Sequence, residues 1–386
     1  MAGGLGLGSV RHQTLAELHM MVPGYSFADM EGANDDSTYP HFPDLWVVFP
    51  IALLCFALRK FLFESIIARN LGIHFGLKQG GTKAPLPRHP ALVAAFEKSP
   101  RKYPEGLFLI ALMSKTDLSE LKLQHWWRNE QKSRKPTTLV KFEEGFFRLC
   151  FYTISFLVGA YIAYSTPFFW DTELLWINQP FHHISGLQFW YYAIELGLYL
   201  MLLITQFTDV RRKDFIEMFI HHIVTIGLVV GSFLGNQIRI GSLVFMYHDF
   251  ADIFLELAKL LKYLGDAQAV RRTIKGDVIM NQWNAMSNYV FVVFALSFIG
   301  SRLGFFPYHL IYSSYLEGPL FIEVTDFTAA IALRRLMCAL VLLHIMWTYT
   351  ILKMAATQAA HGDFGEDARS DDDGDDETTP ERTKTS

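Results

Sequence analysis

The chain has 386 residues, of which 51% are hydrophobic and 15% aromatic, far greasier than a soluble domain and long enough for several membrane spans. Its formal net charge of −4 hides a segregation, because Asp363 to Ser386 carries ten acidic residues against three basic ones and leaves the rest of the chain at +3. Three cysteines, Cys55, Cys150 and Cys338, each inside an apolar stretch, exclude a disulfide-built scaffold.

Residues 1–44 lack the basic start and apolar core of a cleavable signal peptide, so a lumenal N-terminal segment is expected ahead of an uncleaved first span at 45–63. About 20 mostly apolar residues cross the ~30 Å hydrocarbon layer. Six further stretches qualify: 145–165, 187–207, 215–234, 239–260, 284–303 and 331–353. The expected fold class is therefore an all-α polytopic membrane protein with about seven transmembrane helices.

The segment 64–144 holds fourteen Lys and Arg residues, whereas 166–186 and 304–330 hold none. Basic loops alternating with bare ones put the N-terminus in the lumen and the C-terminus in the cytosol. Arg239, Arg302, Arg334 and Arg335 read as sitting at the outer ends of spans. In the bare loop 166–186, His182 and His183 read as solvated or interfacial. The tail, 354–386, is disordered by composition and cytosolic in this topology. Within it Ser370 precedes three aspartates and fits an acidophilic kinase.

The fourth and fifth spans carry ionisable residues where lipid should be. His221 and His222 lie about 100° apart around a helix, so one is expected to face the bundle interior and the other to flank it. In "FMYHDFADIFLELAK", His248 and Asp252 are four apart, Asp249 and Asp252 three apart, and Glu256 continues the same face. Entering at Phe215, His221 lies about 9 Å deep, while Asp252 lies about 20 Å from Arg239, so the two sets meet at similar depth. Ionisable groups inside a membrane are costly and normally face a partner or a wet cavity. Carboxylates beside histidines orient the rings and raise their basicity, which is equipment for acyl transfer. The chain lacks the HxxxH and HxxHH patterns of membrane di-iron enzymes, and His344 stands isolated on the last span. Spacing alone leaves a single zinc held by two His and two Asp open.

The stretch from Arg211 to Lys262 resembles the longevity-assurance motif of the ceramide synthases, within their TLC domain: the basic-Lys-Asp-Phe entry, Met-Phe before the His pair, and His-Asp-x-x-Asp followed by Glu and Lys. "SRLGFFP" at 301–307 and "LHIMWTYTILKM" at 343–354 resemble that family's last two spans. "QHWWRNEQKSRKPTTLVKFEEGFFR" at 124–148 resembles its truncated homeobox-like region. The resemblance implies a catalytic TLC domain at 145–353, with spans two to seven forming a six-helix barrel around a lipid tunnel and the first span outside it. It implies transfer of a fatty acyl chain from acyl-CoA to the amine of a sphingoid base, in the endoplasmic reticulum membrane. His221 would act as nucleophile, with His222, His248, Asp249 and Asp252 orienting it, moving protons and receiving the amine. Acyl-CoA would enter as a substrate, with no cofactor. Arg211, Arg212, Lys213, Arg271, Arg272 and Lys275 are candidate anchors for its phosphates. The stretch 307–327, in sequence an aromatic interfacial loop, resembles the element that sets acyl-chain length in the family.

Expected partners are acyl-CoA, a sphingoid base, membrane lipid and a second subunit in a homo- or hetero-dimer. Trp126, Trp127 and Asn129 fall near homeodomain recognition positions. The region reads as short of one helix at its start and runs soon into a span, so no DNA binding is expected. A membrane-surface helical element, with Arg134 and Lys135 toward headgroups, fits better. A non-catalytic TLC-domain protein that binds lipid or escorts membrane proteins is the competing reading, with a metal-dependent lipid hydrolase behind it.

Overall fold

A computed structural model describes residues 40–77, 89–100, 102–134, 136–179, 182–269, 274–321 and 328–361. Among them the regular structure is helical. Helix α1 (Phe42–His74) is followed by three short helices, α2 (Pro90–Lys98), α3 (Gly106–Thr116) and α4 (Glu120–Arg134). The long helices α5 (Thr138–Ser165), α6 (Gly186–Thr205), α7 (Phe215–Leu234), α8 (Ile238–Ala269) and α9 (Ile274–Phe298) come next. α9 runs on into the π-wound α10 (Ile299–Tyr312), and α11 (Thr328–His361) ends the described chain.

Six helical stretches among the described residues are long and apolar enough to cross a membrane. The expected span at 239–260 is absent from that set although α8 is 32 residues long. Its acidic, basic and histidine residues dilute its hydropathy, and its position explains how they are tolerated. α8 packs most extensively on α9 and α5 and also touches α6, α7 and α10, so much of its surface meets protein rather than lipid.

Neighbouring helices close a ring in the order α5, α6, α7, α11, α9 with α10, and α8. α1 packs outside the ring, on α6 and α5. This is the six-helix barrel with an external first span that the family resemblance implies. Close approach is built in at Gly241, where a Cβ would run into Tyr192 Oη. Tyr192 is buried there and shares a 3.2 Å hydrogen bond with Ser232 of α7, tying α6, α7 and α8 together.

Four expectations change. The sixth span, read as 284–303, belongs to a helical run that reaches Phe321. Pro307, which reads as a helix stop, sits inside the π-wound part. Most of the expected loop 307–327 is thus helical, and its residues 322–327 lie outside the described set. Second, α1 continues well past residue 63. It carries Arg59 fully buried, with Nε 2.6 Å from Glu64, Nη2 2.7 Å from Asp209 and Nη1 donating to Thr205 Oγ1 at 2.9 Å.

Third, the segment around Trp126 and Trp127 packs with the helices before it rather than lying alone as a surface element. α2 and α3 precede α4, and Leu92, Phe96, Leu112, Leu123, Trp126 and Trp127 form their common core. Trp126 and Trp127 are only 3% and 2% exposed, so packing occupies the rings that sequence places near recognition positions. Fourth, His182 is buried rather than solvated. Its Nε2–H donates to Ile177 O at 2.7 Å and its carbonyl accepts from Asn236 at 2.8 Å. Burial first, then the nearby charge of Arg239, lower its pKa to about 4.

Candidate active site

One cavity of about 160 Å³ is lined by side chains from every helix of the ring and from the loop 206–214, and by none from α1. Helix α7 opens with Asp214 at its N-cap and Glu217 in its first turn, then turns apolar apart from the histidine pair, Thr225 and Ser232. Both histidines reach the cavity wall, His221 8% and His222 6% exposed. The expectation of one inward and one flanking ring gives way to two lining rings, their centroids 5.8 Å apart. The ring encloses α7 on more than one narrow stripe. Tyr199 of α6 lies edge-on to both imidazoles, and Trp347 of α11 meets His221 at 5.4 Å.

Hydrogen bonds distinguish the two. Gln206 Nε2 donates to Phe215 O at 2.7 Å, which turns Gln206 Oε1 toward His222 Nδ1 at 3.0 Å. An amide oxygen only accepts, so His222 carries its hydrogen on Nδ1 and keeps a lone pair on Nε2. Among the described residues His221 Nδ1 is buried without a hydrogen-bond partner.

The acidic face of α8 splits. Asp252 and Glu256 line the cavity. Asp252 Oδ1 sits 2.8 Å from Arg302 Nη2, which also donates to His248 O at 3.0 Å. Arg302 is 4% exposed and on the cavity wall, not at the outer end of a span, because its helix extends well beyond it. His248 stands behind the wall. Its Nδ1–H donates to Val244 O at 2.6 Å, so Nε2 accepts from His344 Nε2–H at 3.1 Å. His344, isolated in sequence, is fully buried against it. Asp249 turns the other way, 1% exposed, and accepts from Ser155 Oγ at 2.5 Å; Ser155 also bonds Glu195.

The loop 206–214 marks a charged end of the cavity. Arg212 lines it together with Asp209, Asp214 and Glu144. Glu256 Oε1 holds Arg148 at 3.1 Å and Lys259 at 3.0 Å. Arg211 and Lys213 are exposed, the former with its guanidinium 5.1 Å over the Phe215 ring. Arg271, Arg272 and Ser370 lie outside the described residues, as does the side chain of Lys275. Among the described residues no three His, Cys, Asp or Glu side chains gather as a metal-binding group.

Sequence reasoning missed Arg302, His344, Gln206 and the Ser155–Glu195 pair. The first two carried a signal, a lone ionisable residue on an apolar span, which by the logic applied to the His pair demands a partner. The partners lie 54 and 96 residues away in sequence, beyond the reach of helical spacing.

Comparison with known proteins agrees with this architecture. Residues 141–353 match the TLC domain family. The chain is 33% identical to human ceramide synthase 5 over 92% of its own length and 85% of the relative's. It is 32% identical to mouse ceramide synthase 4 over 95% and 88%. It is also 35% identical to ceramide synthase hyl-1 of Caenorhabditis elegans over 60% of this chain and 61% of that one. A polytopic ring of helices with a histidine-lined cavity, matched to these relatives over most of its length, belongs to the TLC-domain family of ceramide synthases.

Proposed function

We propose that this protein is an acyl-CoA-dependent sphingoid base N-acyltransferase that makes ceramide through an acyl-histidine intermediate. His221 attacks the thioester carbonyl, the C–S bond breaks, and coenzyme A leaves as the thiolate. The sphingoid amine then attacks the acyl-imidazole, the C–N bond to His221 breaks, and His222 Nε2 takes the amine proton. The observation that carries this reading is the pair of cavity-lining imidazoles whose ring nitrogens are not all committed to the protein, His222 Nε2 through its fixed tautomer and His221 Nδ1 through its lack of a partner among the described residues.

Asp252 receives the sphingoid amine on Oδ2, since Oδ1 is held by Arg302. His248 and its partner His344 hold α8 and α11 in register behind the site, and Asp249 does the same toward α5. Phe294, Phe298, Met218 and Leu255 wall the cavity and limit the water that would hydrolyse the intermediate. Arg212, with Arg211 and Lys213 beside it, is the first candidate for the coenzyme A phosphates, so the 206–214 end opens to the cytosol and the N-terminus to the lumen of the endoplasmic reticulum. Charge recognition of this kind is bidentate and geometry-dependent for arginine.

The test is intact mass spectrometry of purified protein mixed with acyl-CoA alone. An added mass of one acyl group is expected, absent from His221→Ala. An unmodified wild-type mass would replace the intermediate with general-base catalysis, and absence of N-acyl product after adding sphingoid base would remove the enzyme reading.

A further inference from the structure

Helix α3 is apolar on two opposite faces, which a helix on the surface of a soluble unit is not. Its inner face carries Leu112, 4% exposed, packed in the core of the α2–α4 unit with Leu109 and Met113 beside it. Its outer face carries Leu107, Phe108 and Ile110 at 86%, 53% and 62% exposure. Eleven residues make a rod of about 16 Å, too short for the ~30 Å hydrocarbon layer. An apolar helix of that length lies within a core or in the membrane interface, and among the described residues the outer face meets no core.

We propose that α3 is an interfacial anchor, with Leu107, Phe108 and Ile110 inserted among the headgroups and first acyl carbons of the bilayer that holds the ring. Two further observations select lipid as the occupant. α4 ends at Arg134 and α5, which enters the membrane, begins at Thr138. The unit is therefore tethered no farther from the bilayer than about 20 Å, roughly its own width. The stretch 89–135 carries nine Lys and Arg against five Asp and Glu, with Lys115, Lys122 and Arg128 exposed, a charge that suits an anionic leaflet. Arg134, which sequence directs toward headgroups, instead bonds Glu130 at 3.0 Å and lies 4.7 Å over Phe96. The anchoring face is α3.

The inference is independent of the acyl-transfer chemistry. The test uses the full chain with Cys55, Cys150 and Cys338 replaced by alanine and a single cysteine at Leu107, Phe108, Ile110 or, as the aqueous reference, Arg128. Each is labelled with an environment-sensitive fluorophore and reconstituted in phosphatidylcholine vesicles with and without phosphatidylserine. The expected result is quenching by shallow spin-labelled lipid at the three α3 positions, with iodide quenching about threefold weaker than at Arg128 and a stronger lipid signal with phosphatidylserine. Equal iodide quenching at Leu107 and Arg128 overturns the proposal. Shielding from both quenchers also overturns it, in favour of a second protein copy. On the unmodified chain, a phosphatidylcholine with a photoactivatable group near its glycerol should label peptides covering 106–116; labelling confined to the long spans counts against the anchor.

Discussion

Arg302→Met should destabilise the ring more than the loss of a charge at a span end could. Arg302 is 4% exposed, and its guanidinium both neutralises Asp252 at 2.8 Å and donates to His248 O at 3.0 Å. Removing one partner of a fully buried pair costs about 3–5 kcal/mol, because the other charge stays behind without compensation. The Asp252 side chain retains 22% exposure and borders the cavity, so screening reduces the cost to roughly 2–3 kcal/mol. That corresponds to a fall of roughly 5 °C in apparent melting temperature in detergent. The structure makes a sharper claim about the double variant. In Arg302→Met/Asp252→Asn no orphan charge remains, so the pair of substitutions should cost about 1–2 kcal/mol less than the sum of the singles. Thermal unfolding of the four proteins, followed by intrinsic tryptophan fluorescence at one scan rate, measures this. Additive costs, or a single Arg302→Met variant as stable as the parent, would refute the ion pair as the reason Arg302 is buried.

Gln206→Leu removes the acceptor that fixes the His222 tautomer and should lower kcat for N-acylation roughly tenfold or more, with Gln206→Glu retaining part of the rate; equal losses in the two variants would contradict the tautomer argument. His182 sets a pH dependence of stability. It titrates near 6.5 unfolded and near 4 folded, so the unfolded chain binds more protons between those values. Stability is then full above pH 6.5, falls as pH drops, and levels off below about 4 after a loss of about 3 kcal/mol. His182→Asn should flatten this slope in melting scans from pH 7.5 to 4.5, and an unchanged slope assigns the effect elsewhere. Gly241→Ala drives a methyl into Tyr192 and should cost roughly 1–3 kcal/mol, partly recovered by Tyr192→Phe; no recovery would place the strain in the backbone.

Most of the helical architecture was legible because each long apolar run has to be a closed hydrogen-bonded helix in lipid. The histidine pair and the acidic face of α8 were legible for the opposite reason, since polarity in such a run has no cheap explanation. Depth counting brought the two sets to the same level but could not say which way Asp249 points. An i,i+3 pair shares a face only loosely, and Ser155 drew Asp249 toward α5 while Arg302 drew Asp252 to the cavity. Helix ends were read least well. Pro307 and the glycines around it carry the signal of a stop, yet the chain stays helical through them where it packs against α8 and α11. In the α2–α4 unit the helices are short and amphipathic patterns weak, so its core around Trp126 and Trp127 appears only in three dimensions.

The polar residues of α8 also answer how a helical ring chooses one arrangement inside a membrane. Lipid tails are as apolar as leucine, so burial of apolar surface does not discriminate between helix registers there. α8 carries four polar keys to three different helices: His248 to His344 on α11, Asp249 to Ser155 on α5, Asp252 to Arg302 on α10, and Glu256 to Arg148 on α5. Turning α8 by one residue rotates its side chains by about 100° and would break all four pairings together, leaving several polar groups facing apolar walls. Each pair contributes modestly by itself, yet their common dependence on one register makes the penalty for misassembly large. Two of those four acidic or imidazole keys, Asp252 and Glu256, also line the cavity beside His221 and His222. The residues that would do the chemistry are therefore partly the ones that fix the ring, and substitutions such as Asp252→Asn must be judged by folded yield as well as by rate.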